Sequence, residues 1–228
     1  MHPMHKTTKD IEKIRATTLK INEIFFSIQG ESTHTGLPTV FIRLTGCPLR
    51  CGYCDTAYAF YEGNKITIND ILRETARYRT RYVTVTGGEP LAQKACLDLL
   101  TQLCDEGYQV SLETGGALDI SGVDDRVARI VDIKTPGSGE SKKNRPANLN
   151  HLTARDQVKF VICDRMDYLW VRDLLRNAQL SDRCEVLFSP SHGQLEAKTL
   201  ADWILEDQLP VRLQIQLHKY LWGDVPGR

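Results

Sequence analysis

Short runs of strand-forming residues alternate with amphipathic helical patterns along most of this chain, and that alternation restricts its possible architectures more than any other feature. The strand candidates, many rich in Val and Ile, are INEIFFSI, TVFIRL, YVTVT, QVSLE, IVDI, QVKFVI, EVLF and LQIQL. Helical patterns fall near residues 69–79, 91–106, 165–178 and 196–207. In the second, Leu91, Ala95, Leu99, Leu100 and Leu103 share one apolar face, and Gly107 stands where a helix stop belongs. Strand, helix, strand alternation predicts an α/β fold with a mainly parallel sheet and functional residues at the strands' carboxyl ends. The 228 residues suffice for a single core, and no internal repeat is visible.

Charge excludes one class of function. Lys plus Arg (29) balance Asp plus Glu (29), so no strongly basic surface exists to track a nucleic acid. The first twenty residues are polar and charged, and no apolar run reaches the ~20 residues of a membrane span. The expectation is a soluble cytoplasmic protein. Residues 135–150, TPGSGESKKNRPANLN, read as a surface loop with the composition of a mobile lid.

Of seven cysteines, three fall within eight residues. The others, Cys96, Cys104, Cys163 and Cys184, lie singly in apolar stretches and read as small buried hydrophobes. Cys47-x3-Cys51-x2-Cys54 directly follows the strand TVFIRL. Three thiolates on one loop can ligate three irons of a cubane and leave the fourth open to the amino and carboxylate groups of S-adenosylmethionine (SAM). A structural zinc site is the competing reading, with His34 as the nearest fourth ligand, but no second cysteine pair follows. A zinc-stapled binding module would be colourless, whereas a cubane makes the protein brown. Downstream, the strand YVTVT runs into Gly87-Gly88-Glu89-Pro90, where two glycines let backbone approach a ligand.

The cysteine spacing, with Tyr53 before the last cysteine, together with GGEP resembles the radical SAM superfamily. The resemblance implies a [4Fe-4S] cluster on Cys47, Cys51 and Cys54, and an incomplete (β/α) TIM-like barrel. It sets SAM against Tyr53, Asp55, Gly87, Gly88 and Glu89. Further candidates for that site close other strands: Glu113 and Thr114, the segment from Asp132 through Lys134, Thr135 and Pro136, and Ser189. Each of these also suits an ordinary cap or turn.

A narrower resemblance rests on the segment FFSIQGE (Phe25 to Glu31), the segment GLPTVFIRL (Gly36 to Leu44), the run Cys54-Asp55-Thr56, and the segment Gln216 to Tyr220. These are similar to the 7-carboxy-7-deazaguanine synthases, over roughly residues 18–224. That likeness implies a SAM- and Mg²⁺-dependent radical ring contraction of 6-carboxy-5,6,7,8-tetrahydropterin, with loss of ammonia, in queuosine and related deazapurine biosynthesis. It implies a homodimer and a flavodoxin- or ferredoxin-type electron donor. It places Mg²⁺ on Thr56, and substrate against Ile28, Gln29, Gly30, Glu31, Arg43, Thr86 and His218. The residues suit that cargo independently. A pterin's pyrimidinone edge presents N–H donors beside a carbonyl, and Gln29 and Glu31, two apart, project to one face. Arg43, inside a strand, needs a carboxylate partner, supplied by substrate or by the protein itself. An activating enzyme for a glycyl radical protein is the alternative within the superfamily; FSIQGE and CDT argue against it.

The chain departs from the family pattern at three places. Ser32 stands where the family repeats glycine, and Gly137 where many members carry the lysine of a Ser-Pro-Lys turn. Residues 1–18 form an unassigned extension to a single domain spanning 19–228. Some members use the terminal carboxylate at the substrate site, and this chain ends in Pro226-Gly227-Arg228.

Overall fold

In the computed structural model, which describes residues 7–225 and residue 227, the alternation becomes one nine-stranded sheet flanked by helices. In chain order the elements are α1 (Thr8–Arg15), β1 (Thr18–Ile28), β2 (Pro38–Leu44), β3 (Asn64–Thr67), α2 (Ile68–Thr75), β4 (Tyr82–Gly87), α3 (Cys96–Asp105), β5 (Gln109–Thr114), β6 (Ala128–Asp132), β7 (Gln157–Ile162), α4 (Arg165–Ala178), β8 (Glu185–Pro190), α5 (Ala197–Glu206), β9 (Arg212–Leu213) and α6 (Leu217–Trp222). The strand order is β3-β1-β2-β4-β5-β6-β7-β8-β9. From β2 to β9 every neighbouring pair is parallel, while β1 runs antiparallel to β2 and β3. Two edges remain, so the fold is an incomplete (β/α) barrel with a mainly parallel sheet.

The period of two along each strand sorts side chains onto two unlike faces. Val40, Ile42 and Leu44, then Val83 and Val85, Val110 and Leu112, Val158, Phe160 and Ile162, and Val186 and Phe188 are all buried in the core. Leu99, Leu100 and Leu103 of α3, Tyr168 and Val171 of α4 and Leu200 of α5 belong to the same core. Each such side chain contributes about 1.5–3 kcal/mol when fully buried. The alternate positions Arg43, Thr86, Glu113, Asp132, Lys159 and Ser189 line a cavity instead. One face of the sheet holds the protein together, and the other carries polar chemistry.

The structure corrects several boundaries. The pattern over 91–106 becomes a helix only from Cys96, because Gln93 is extended and its side chain is committed elsewhere. That amide donates to the Lys20 and Thr45 carbonyls and accepts from Lys20 N, fastening the segment to β1. The expected strand LQIQL shrinks to β9, and α6 begins at Leu217. Strand β3 and helix α1 were not foreseen. Helix α1 has a capping box between Thr7 and Asp10, and Arg15 ties it to α3 through Gln102 and Glu106. The 135–150 loop is fastened rather than lid-like. Asn144 bonds both backbone groups of Lys134, Asn148 bonds the Gly116 and Leu118 carbonyls, and Gly52 N donates to Ser138 O. Of the four single cysteines, Cys96 and Cys184 are buried as expected, while Cys104 and Cys163 are only partly so. Among the described residues no helix is long and apolar enough to cross a membrane.

Candidate active site

A cavity of about 550 Å³ opens beside the carboxyl ends of the parallel strands. The loop leaving β2 carries Cys47, Cys51 and Cys54, all three free thiols, into its wall. The turn after β4 packs directly under that loop: Gly88 N donates to Leu44 O at 3.1 Å, and Glu89 N to Gly46 O at 2.7 Å. A Cβ on Gly88 would lie 2.4 Å from Gly46 O and 2.8 Å from Cys47 Cβ, so only glycine lets the two loops meet. Burial pushes the Cys47 and Cys51 thiols up, so the protein surroundings do not ionise them by themselves, and a bound iron would have to. Among the described residues, no three His, Cys, Asp or Glu side chains gather as one metal ion requires. A cubane asks for something different, one thiolate for each of three irons, and three cysteines on one short loop meet that need. Two buried hydroxyls on the cavity wall, Tyr53 OH and Ser189 Oγ, lack a protein partner, as fits a polar ligand held against them.

On this side of the cavity stand most of the residues expected to hold SAM. Gly87, Gly88, Thr114 and Lys134 line it, as do Tyr53, Asp55 and Ser189. Glu89 lies behind the wall, fully buried. Its oxygens accept from Leu91 N, from the Thr114 hydroxyl and from Gly115 N. It thereby holds Thr114 and Gly115 at the wall, and burial raises its carboxyl above the usual range. Lys134 Nζ sits 3.1 Å from Asp132 Oδ1 and 5.7 Å from the centre of the Tyr53 ring. The Lys134–Asp132 contact is an ion pair without hydrogen-bond geometry, since Asp132 Oδ1 has no hydrogen-bonding partner.

Thr135 and Pro136 also stand behind the wall, in a turn clamped by Asp167 of α4. That buried carboxylate accepts from Thr135 Oγ1 (2.9 Å), Gly137 N (2.8 Å) and Cys163 N (3.0 Å). A Cβ on Gly137 would approach Asp167 Oδ2 to 2.5 Å, which explains why this chain has glycine where a lysine was anticipated.

The residues expected to meet substrate line the same cavity: Ile28, Gln29, Gly30 and Glu31, which leave the end of β1, together with Arg43, Thr86 and His218. Gly30 carries no Cβ because the His218 ring fills that space, with Nδ1 2.0 Å from where one would lie. Gln29 is pinned by Thr84 and donates toward Glu113 at 3.5 Å, and Thr86 donates to Glu113 at 2.9 Å. Glu113 therefore belongs structurally with Gln29 and Thr86. Burial, and then the neighbouring Glu31 charge, raise its pKa. Arg43 Nε pairs with Glu23 Oε1 at 2.7 Å, the internal partner that the sequence left open, while its guanidinium lies over Phe25 and Tyr58. Thr56 donates to Asp55 Oδ1, and Asp55 Oδ2 pairs with Lys219 of α6 at 2.9 Å. Burial opposes the Asp55 charge, but the Lys219 ammonium outweighs it and lowers the pKa.

Four participants were given no site role in the sequence: Lys159 and Asp167, and also Gln216 and Lys219, which lie in the segment that carries the family resemblance. Lys159 Nζ lies 2.5 Å from Glu31 Oε2, and Gln216 Nε2 donates to Glu31 Oε1 at 2.9 Å. A lysine between apolar residues in QVKFVI was the available signal, since parallel strands otherwise read as hydrophobic runs. Ser32, a residue after Glu31, has φ of +67°, so the glycine usual there answers to backbone conformation.

A (β/α) barrel with a three-cysteine loop at one strand end and a glycine turn packed beneath it defines a radical SAM enzyme, and the superfamily's sequence signature matches residues 41–137. The chain is 45% identical over 208 residues to a 7-carboxy-7-deazaguanine synthase of Chlorobaculum tepidum, covering 90% of this chain and 94% of that one. A synthase of the same description from Koribacter versatilis is 41% identical, covering 90% of this chain and 97% of its own. The chain belongs to the 7-carboxy-7-deazaguanine synthase family. The fold of QueE from Escherichia coli superposes with a TM-score of 0.76 at 22% identity, over 93% of this chain and 100% of that one. These relatives do not favour the activating-enzyme alternative.

Proposed function

We propose that this chain converts 6-carboxy-5,6,7,8-tetrahydropterin to 7-carboxy-7-deazaguanine with loss of ammonia, in queuosine or related deazapurine biosynthesis. The observation that carries the reading is that one cavity joins the three-cysteine loop to an acceptor, donor and cation set matching a carboxylated pterin. When bound, the cluster and SAM supply a deoxyadenosyl radical for hydrogen abstraction. Cys47, Cys51 and Cys54 would hold the cluster. Tyr53, Asp55, Gly87, Gly88, Glu89, Glu113, Thr114, Lys134, Thr135, Pro136 and Ser189 are the candidate SAM set, with Glu89, Thr135 and Pro136 acting from behind the wall and Glu113 reaching it from its bonds to Gln29 and Thr86. Glu31 accepts the ring N–H groups, Gln29 and Thr86 orient the ring edge, and Arg43 and His218 face its charged and polar substituents. Ile28 and Gly30 complete that wall.

Thr56 is the proposed Mg²⁺ ligand; one neutral oxygen suffices only where substrate oxygens and waters complete the octahedron. Residues 19–228 form one domain in this reading, and the protein works as a cytoplasmic homodimer reduced by a flavodoxin- or ferredoxin-type donor. The terminal carboxylate lies outside the described residues. Anaerobic reconstitution with the pterin, SAM, Mg²⁺ and dithionite should yield 7-carboxy-7-deazaguanine by mass spectrometry. SAM cleavage without that product would refute the substrate.

A further inference from the structure

Lys159 is the charged residue of β7, and its side chain is only 14% exposed. Its Nζ is 2.5 Å from Glu31 Oε2 and 3.4 Å from Asp132 Oδ2, and Asp132 Oδ1 in turn is 3.1 Å from Lys134 Nζ. All four side chains line the cavity. They make a row of alternating charge from the half assigned to substrate across to the half assigned to SAM. Stability does not explain such a row, because an apolar side chain at the same strand position generally costs a protein less than a buried ion pair.

The local charges show what the lysine does. Glu31 and Glu113 face the same space, and two buried carboxylates without a cation share a proton. Burial works against ionising Glu31, and the Lys159 ammonium reverses the balance and lowers the pKa. The other charged or titratable groups facing Glu31 or Lys159 are Arg43 on β2, Tyr53 on the cysteine loop, Glu113 on β5, Asp132 on β6, Lys134 just after it and His218 on α6; Lys219 and Asp55 line the cavity next to His218. Burial lowers the pKa of His218, so it supplies little positive charge at neutral pH. Lys159 is the cation in direct contact.

We propose that Lys159 is a positioning residue of the pterin site, holding Glu31 as an ionised acceptor aimed at the ring N–H donors and, through Asp132, fixing that half of the cavity to Lys134. The inference rests on the pterin reading above. The test uses cluster-loaded protein with SAM and measures equilibrium binding of pterin-6-carboxylate, an unreactive analogue, between about pH 5.5 and 9, a range spanning the unperturbed histidine but above free carboxylates. The parent should bind with little acid-side dependence.

Lys159→Met and Lys159→Gln should bind roughly ten- to a hundredfold more weakly at neutral pH, the size of losing one charge-assisted contact. Their binding should recover as pH rises, because Glu31 must then shed a proton that the lysine had kept off. Lys159→Arg should restore most of the affinity, and the neutral variants should still fold and load the cluster. Parent-like affinity and pH profile in both neutral variants would overturn the proposal. So would loss of cluster loading and of folding in all three variants, which would make the lysine structural. A parent that does not bind the analogue refutes the pterin reading itself, a result separable from any comparison among the variants.

Discussion

Changing Gly137 to Ala should destabilise this protein only while Asp167 is present. Gly137 is not in the left-handed region, so a Cβ is permitted by the backbone and its cost arises from what it touches. The touched atoms are Asp167 Oδ2 at 2.5 Å, Cys163 Cβ at 3.0 Å and Asp167 Cγ at 3.1 Å. The carboxylate cannot retreat cheaply, because it accepts from Thr135 Oγ1, Gly137 N and Cys163 N at once. Overpacking of this kind costs about 1–3 kcal/mol, and the smaller entropy of an unfolded Ala returns about 0.4–1 kcal/mol. The net loss is therefore about 1–2 kcal/mol, and at about 2–4 °C per kcal/mol for a domain of this size Tm should fall by about 2–8 °C.

In an Asp167→Ala background two of the three contacts vanish, so Gly137→Ala should become neutral or stabilising by up to about 1 kcal/mol. The coupling energy of the double-mutant cycle should then be about 2 kcal/mol, well above the scatter of independent sites. Urea unfolding of the four proteins measures it. Equal effects of Gly137→Ala in both backgrounds would refute the reasoning and leave the glycine without an explanation in Asp167.

Ser32→Gly should stabilise by about 0.5–1 kcal/mol, because φ at +67° suits glycine; the gain is reduced by losing the Ser32 Oγ bond from His34 N, and a lowered urea midpoint would contradict it. Asp132 is buried, which opposes its charge, but Lys134 and Lys159 outweigh burial and lower its pKa. Its contribution to stability is therefore complete above the unfolded value of 3.8 and is lost as pH falls through the lower folded value. Asp132→Asn should remove that part of the acid limb and cost about 3–5 kcal/mol at neutral pH by leaving the buried Lys134 ammonium without its carboxylate, while Lys159 keeps Glu31; an unchanged acid limb by circular dichroism would count against the row of charges. Cys51→Ala should abolish the broad absorbance near ~400 nm of a cluster and the cleavage of SAM, and a brown, active variant would remove Cys51 from the ligands.

Chemistry was more legible in this sequence than the geometry that supports it. The cysteine loop, GGEP and FSIQGE announced themselves because their spacing or residue types make poor sense as packing. The parallel strands were legible as apolar runs, and α4 matches its expected span, residues 165–178, because Asp164 caps it and a clean apolar stripe follows. Lys159, Asp167 and Gln216 were harder to see, since each acts on a residue far away in sequence: Lys159 on Glu31, Asp167 on Gly137, Gln216 on Glu31. Arg43 shows the same limit from the other side. Its need for a carboxylate was readable, but whether Glu23 or a ligand would answer it depended on a register between β1 and β2 that places Glu23 opposite Arg43.

The chain's return after β9 illustrates why the cavity wall around Glu31 depends on residues outside the sheet. The barrel is open between β9 and the β1 side, and no backbone ladder closes it. Side chains and single backbone bonds take that role. Gln214 accepts from Ser32 N and donates to the Ser32 carbonyl and the Thr35 hydroxyl, and Leu217 N donates to Gly30 O. Gln216 bonds Glu31, and Lys219 pairs with Asp55 beside Cys54. A hydrogen-bonded strand would have consumed these backbone groups and pointed alternate side chains away from the cavity. Ending the strand at Leu213 instead lets Gln216, His218 and Lys219 all line it. The segment expected to extend the sheet thus gives up its ladder and, in doing so, supplies the wall that positions Glu31.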